Sequence, residues 1–189
     1  MSNEEKGERK RLLSVGQFRD LARPTGIHLD ESEVECWIRE CEDAYIIPAI
    51  TYRQFKGAVE CENNTPWDAS FDDSFSTAVF LDGGEWKQDE GTEREQVQWC
   101  SGVRKALAYF VYACLLRADG SIVTRAGAMR HREDRADHVE DTKLRQYGDT
   151  MAMAERYLAE CVAYLKLHLR DRQIEPIKPT RARIKAIGD

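Results

Sequence analysis

The stretch from Gln98 to Ala118 limits most strongly what this chain can become. Val103, Leu107, Phe110, Val111, Cys114 and Leu115 recur at helical spacing on one face, and Ala106, Ala108, Tyr109, Tyr112, Ala113 and Leu116 fill much of the remaining circumference. A helix apolar nearly all round offers water no face, so it must lie at the centre with other elements packed on several sides. Asp119-Gly120 stops it. With 189 residues the chain is long enough to wrap such a helix in one domain. No run approaches the roughly 18 apolar residues a membrane span needs, and the opening MSNEEKGERKRLL lacks the apolar core of a secretion signal, so a soluble intracellular protein is expected.

The wrapping elements are mostly helical. Ser14 is placed to cap a helix from Val15 to Ala22, ended by Arg23-Pro24-Thr25-Gly26. Asp30 with Glu33 three residues on reads as a capping box. Behind it Val34, Trp37, Ile38, Cys41 and Tyr45 share one apolar face, while Glu31, Glu35, Arg39, Glu42 and Asp43 are expected in water or against a cationic partner. Pro48 should end or kink this helix near Ile47. A short helix is expected over 52–62 and a helical turn over 76–81, before Asp82-Gly83-Gly84. Glu85-Trp86-Lys87 and Ser121 to Thr124 read as short strands, and Gln88 to Glu95 as a polar loop. A long helix over about 141–169 carries the stripe Leu144, Tyr147, Met151, Ala154, Leu158, Cys161, Val162 and Leu165. The expected fold is therefore mainly α, a bundle of four to five helices with a small β element. It divides into an N-terminal arm and short helix (1–29), one bundle domain (12–169, with an irregular insertion at 63–97) and an extended basic tail (170–189).

Charge is unevenly distributed along the chain. The net value is −6, but residues 30–100 carry five basic and eighteen acidic groups, and residues 101–189 carry seventeen and twelve. An acidic front half disfavours free nucleic acid as a partner and suits subunits that meet front to back. Lys178, Arg181, Arg183 and Lys185 concentrate cations in the tail, beside Ile184. Such a tail suits phosphates, an acidic protein surface such as the helix at 31–47 of a neighbour, or strand addition to a partner. Arg125, Arg130 and Arg132 of the 121–138 loop join the tail as candidate partner-binding cations, with Glu35 and Glu42 as candidate acidic counterparts.

Residues suited to catalysis are sparse. His131, Asp134, His138 and Asp141 would share one helical face, but Arg130, Arg132 and Arg135 neutralise the acids among them. The two histidines are about 10 Å apart along a helix, too far for one ion. Glu40-x-x-Asp43 facing Asp134-x-x-Asp137 or Asp137-x-x-Glu140 has the spacing of a Mg2+-binding carboxylate bundle, so a metal-dependent all-α nucleotide hydrolase is the alternative reading. His28 and His168 are single histidines near helix ends. There is no G-x-S-x-G and no phosphate-binding glycine motif, and Glu85 after Gly83-Gly84 would repel phosphate. Six cysteines include no C-x2-C pair; Cys36, Cys41, Cys114 and Cys161 read as small buried hydrophobes. No catalytic residue, metal site or cofactor is expected, and the chain does not read as an enzyme.

The run VECWIRECEDAYIIPAI (34–50), the turn LDGGEW (81–86), the helix KALAYFVY (105–112) with LRADG (116–120), and the tail RARIKAI (181–187) together resemble a small family of phage and prophage proteins from gut bacteria. That family is regarded as similar to the head–tail connector, or adaptor, proteins of tailed phages. The resemblance spans most of residues 12–187. It implies a connector-like helical-bundle protomer without catalytic residues, forming a ring of about twelve copies. The ring would sit between the portal protein and the tail or stopper proteins, with DNA passing through it and no sequence-specific binding. The place implied is the host cytoplasm during assembly and then the virion neck, with no membrane contact. The chain departs from the connectors in being about twice as long as many of them, and the 63–97 insertion has no counterpart there.

Overall fold

The computed structural model describes residues 9–23, 30–61, 66–88, 91, 95–118, 121–124, 127–130 and 137–169; for 121–124, 127–130 and 137–144 the description is of the backbone. The fold is mainly α with small β elements, as the sequence implies.

Ser14 caps α1 (Val15–Leu21) through a complete capping box with Gln17. Asp30 caps α2 (Glu31–Cys41) by accepting from the Ser32 N–H at 2.9 Å; the cap is made without a return bond from Glu33. Val34, Ile38 and Cys41 turn inward, and Trp37 and Tyr45 are half-buried. The helix does not stop before Pro48. It passes through a π turn, Glu42–Ile46, and runs on as α3 (Ile47–Ile50). Two features of the sequence call for the wider turn. Pro48 cannot donate and its ring would meet an α-helical carbonyl at residue 44. Also, Ile38, Glu42, Ile46 and Ile50 recur at a strict spacing of four, a line that drifts round a helix of 3.6 residues per turn unless one turn is widened. All four are wholly buried.

Thr51 makes the corner into α4 (Tyr52–Glu60) at φ 71°, a conformation a β-branched residue rarely adopts. Gln54, Phe55 and Ala58 of α4 are buried. Trp67 packs directly on Gly57, where a Cβ would collide with the indole, and donates to Gln54 Oε1 at 2.7 Å. Much of the expected irregular insertion is therefore core. Phe71 and Phe75 stack with centroids 3.9 Å apart, and Trp67 meets both edge-on. Phe80 and Leu81 of α5 (Thr77–Asp82) are buried beside them.

An antiparallel hairpin follows, β1 (Gly84–Gln88) with β2 (Gln96–Cys100), in a register pairing Glu85 with Trp99 and Lys87 with Val97. The sequence reading placed 98–100 in the central helix; they belong to β2. Gly102, at φ 83°, makes the break: a Cβ there would sit 2.5 Å from the Asp82 carbonyl carbon. The central helix α6 is Val103–Ala118, and of its residues Arg117 alone is exposed. Beyond it, β3 (Ser121–Thr124) pairs with β4 (Gly127–Arg130). The long helix α7 (Asp137–His168) makes the most extensive helix–helix contact with α6. The two run antiparallel: Arg117 lies by Tyr147, Lys105 by Tyr157, and Cys100 by Cys161. Of the expected α7 stripe, Ala154, Cys161 and Leu165 are buried, joined by Tyr164, while Tyr147, Met151, Leu158 and Val162 are half-buried. The Leu144 side chain lies outside the description.

Candidate functional site

Three arrangements of side chains merit a chemical reading: the carboxylate at the π turn, the histidine at the end of α7, and a cleft at the opposite end of the bundle.

Glu42 was expected on the outer face of its helix, available to a partner; it is wholly buried. Its Oε1 accepts from the Leu12 N–H at 2.8 Å and its Oε2 from Arg9 at 2.8 Å. Arg9 also reaches Asp43 at 2.7 Å and lies over the Phe55 ring at 5.0 Å. The cationic counterpart is thus this chain's own N-terminal arm. Burial works against the Arg9 charge, but the two carboxylates outweigh it and hold its pKa above the ordinary value. Leu12 and Leu13 are buried as a result, and Arg104 donates to the Leu12 carbonyl at 3.1 Å.

His168 is buried at the end of α7. Its Nδ1 stands 2.9 Å from Asp72 Oδ1 and 3.2 Å from Ser74 Oγ. Ser, His and Asp in contact suggest a nucleophilic triad, yet the geometry differs. A triad puts the acid on one ring nitrogen and the serine on the other; here both face Nδ1, and Ser74 Oγ donates to Asp72 at 2.8 Å. Nε2 is buried and has no hydrogen-bond partner among the described residues, in a ring packed near Trp86 and Tyr164. Burial works to raise the Asp72 pKa, but the hydrogen bonds from His168 and Ser74 outweigh it and hold the carboxyl below its ordinary range. The backbone reinforces the clamp, with the Asp72 N–H on the His168 carbonyl at 3.0 Å and a β-bridge between Phe71 and Leu169.

The cleft, about 550 Å3, lies between α2 with its π turn, the end of α6 and the start of α7. Trp37, Tyr45 and Tyr147 give it aromatic walls, Glu33 and Glu40 an acidic rim, and Arg117 a cation opposite, 5.9 Å from the Tyr147 ring centre. Tyr45 is fixed by stacking on Phe110 at 4.3 Å. Cys41 and Cys114 meet there with sulfurs 3.7 Å apart. The hydrogen bond between them, with burial, pushes Cys41 far up, and the same bond lowers Cys114. A second thiol pair, Cys100 and Cys161, stands at 3.7 Å inside the core. Cys36, expected to be buried, is exposed, because it falls two residues from the Val34–Ile38 line and so on the opposite side of α2.

The other sequence-derived candidates divide by position. Glu35 is on α2 and pairs with Arg11 at 3.0 Å. Arg130 ends β4 opposite Ser121, described by its backbone. Arg125, Arg132, Lys178, Arg181, Arg183 and Lys185 lie outside the described residues, as do His28, His131 and Asp134. Of the carboxylates in the alternative hydrolase reading, Glu40 faces the cleft and Asp43 is taken up by Arg9. Among the described residues, no three His, Cys, Asp or Glu side chains come together in a group able to hold a metal ion, and no helix is long and apolar enough to cross a membrane.

One surface was missed by sequence reasoning. Val97 and Trp99 of β2 are 64% and 60% exposed, side by side on the outer face of the hairpin. The alternation Gln-Val-Gln-Trp was the available signal. It was obscured because the apolar members face outward.

No curated protein and no solved structure matches this chain. Residues 72–171, from the His168 clamp through the hairpin and α6 to the end of α7, match a family of unknown function. The chain belongs to that family, DUF6712.

Proposed function

We propose that this chain is a structural subunit, a head–tail connector or adaptor of a tailed phage, which forms a ring with further copies between the portal and the tail proteins, around the DNA channel. The reading continues the resemblance drawn from 34–50, 81–86, 105–120 and 181–187. The observation that carries it here is a pair of unlike surfaces at opposite ends of the α6–α7 pair. At the α6 N-terminus the hairpin presents Val97 and Trp99 to solvent. At its C-terminus, about 22 Å away by helical rise, lies the acidic, aromatic cleft. Unlike patches on one subunit make heterologous contacts, which close as a ring or continue as a filament. Exposed aromatic and aliphatic residues grouped together are the kind of surface that becomes the centre of such a contact.

The test is co-expression with the portal and tail proteins encoded beside it, followed by affinity purification and electron microscopy. Rings of this chain seated on the portal are expected. A chain that co-purifies with neither portal nor tail proteins sinks the reading.

A further inference from the structure

The acids of α2 and its π turn fall into two sets. Glu31 pairs with Arg19 at 3.2 Å, Glu35 with Arg11 at 3.0 Å, and Glu42 and Asp43 with Arg9. Glu33 and Glu40 make no ion pair with a described residue, and these two line the cleft. They stand four residues before and three residues after Trp37, so carboxylate, indole and carboxylate form one stripe along a single helix face. Among the described residues, the ion-paired acids of this helix lie away from the groove, whereas Glu33 and Glu40, the latter accepting from Cys36 Sγ at 3.7 Å, line it. Among the described lining residues Arg117 on the opposite wall offsets one of the two carboxylates, which leaves one negative charge in excess above an aromatic floor. A cation with an apolar neighbour fits that chemistry, held by carboxylates at the rim and by the ring face below.

The chain carries such a segment. After Leu169 twenty residues remain, and near their end Arg181, Arg183 and Lys185 alternate with Ala182, Ile184 and Ala186. Drawn out as a strand, that spacing puts the cations on one side, about 6.7 Å apart, and the small apolar residues on the other. We propose that the groove formed by Glu33, Trp37 and Glu40 with Tyr45 and Tyr147 is the docking site for this basic C-terminal segment of a second copy of the chain. Reach favours a second copy over the chain's own tail. Leu169 lies about 33 Å along α7 from Tyr147. The twelve residues to Arg181 span at most about 40–43 Å, so a chain filling its own groove would have to run back along the bundle at about three-quarters of full extension or more. A neighbouring copy meets no such limit. The inference needs two copies to meet but does not depend on the portal.

The test uses full-length chain and a fluorescein-labelled peptide of residues 176–189, followed by anisotropy at low and moderate salt. Binding is expected to weaken roughly tenfold in Glu33→Gln/Glu40→Gln, and its salt dependence to flatten. Both residues are on the surface, and far-UV circular dichroism of the variant checks that the helix is retained. An Arg181→Glu/Arg183→Glu peptide should bind at least tenfold more weakly. Full-length Arg181→Glu/Arg183→Glu should accept the wild-type peptide without competition, whereas wild-type chain should compete more strongly as its concentration rises. Absence of peptide binding, or binding indifferent to Glu33 and Glu40, overturns the groove. Competition that stays constant with concentration assigns the groove to the chain's own tail and overturns the second-copy reading. Failure of portal co-assembly with peptide binding intact removes the adaptor reading and leaves the groove standing; the reverse result removes the groove alone.

Discussion

Arg9→Ala is expected to destabilise this protein more than Glu42→Gln, although Arg9 is the partner closer to water. The Arg9 side chain is 39% exposed and that of Glu42 is 0%. Removing the arginine leaves a buried carboxylate with the Leu12 N–H as its remaining donor among the described residues. Breaking a buried pair from one side costs about 3–5 kcal/mol. The partial exposure of Arg9 argues for the lower end, about 3 kcal/mol, including its contact over Phe55. In Glu42→Gln the amide oxygen still accepts from Leu12, and Arg9 keeps Asp43 at 2.7 Å. The loss is then one charge-assisted hydrogen bond, about 1–2 kcal/mol. Urea unfolding at pH 7, followed by far-UV circular dichroism, separates the two if the slope is unchanged. The larger loss corresponds to a drop in Tm of roughly 6–12 °C for a chain of this size. If Arg9→Ala is neutral, or milder than Glu42→Gln, then the carboxylate is not confined as described and the account of the N-terminal arm is wrong.

Three further outcomes are expected. Thr51→Gly should stabilise by about 1 kcal/mol, because glycine accepts φ 71° without the strain a β-branched residue carries there; a lower urea midpoint would contradict this. Gly102→Ala should cost about 3 kcal/mol or fail to fold, since its Cβ would meet the Asp82–Gly83 backbone. Wild-type stability in thermal melts would refute that. Asp72→Asn should be less stable than the wild type at neutral pH. The folded Asp72 pKa lies below its unfolded value, so its contribution is complete above about pH 4 and fades as pH falls through the folded value. The gap in urea midpoint between variant and wild type should therefore shrink on acidification below about pH 4. A gap that stays constant from pH 5 to strongly acid conditions would assign the effect to shape alone.

What the sequence disclosed depended on whether residue type and spacing agreed. They agreed in α6, where nearly every position is apolar, and at Ser14 and Asp30, where a cap precedes a periodic run. They disagreed at Glu42. Its place four residues after Ile38 and eight after Val34 put it on the buried line, but a carboxylate there reads as solvated until Arg9, more than thirty residues earlier, is known to cover it. They disagreed again at Val97 and Trp99, apolar residues that a strand turns outward. The aromatic cluster of Trp67, Phe71 and Phe75 escaped notice for another reason. It is built by turns in which Asp68 and Asp72 accept from Ser70 and Ser74, so no helical or strand period announces it. The cleft was half legible: Trp37 and Tyr45 were read as core, and both are half-buried, but they also line the groove with Arg117 and Tyr147 from α6 and α7, which no local pattern announces.

The clamp at His168 fixes where mechanical load enters the fold. Tension on the chain beyond Leu169 meets the Phe71–Leu169 bridge and the Asp72–His168 contacts before it reaches the packing of α7 on α6. Those contacts join α7 to the segment leading into α5 and the hairpin, so a pull on the tail is shared by two parts of the chain and does not peel the long helix away turn by turn. A pull delivered through Leu169 is thus borne first by contacts outside the packing of α7 on α6.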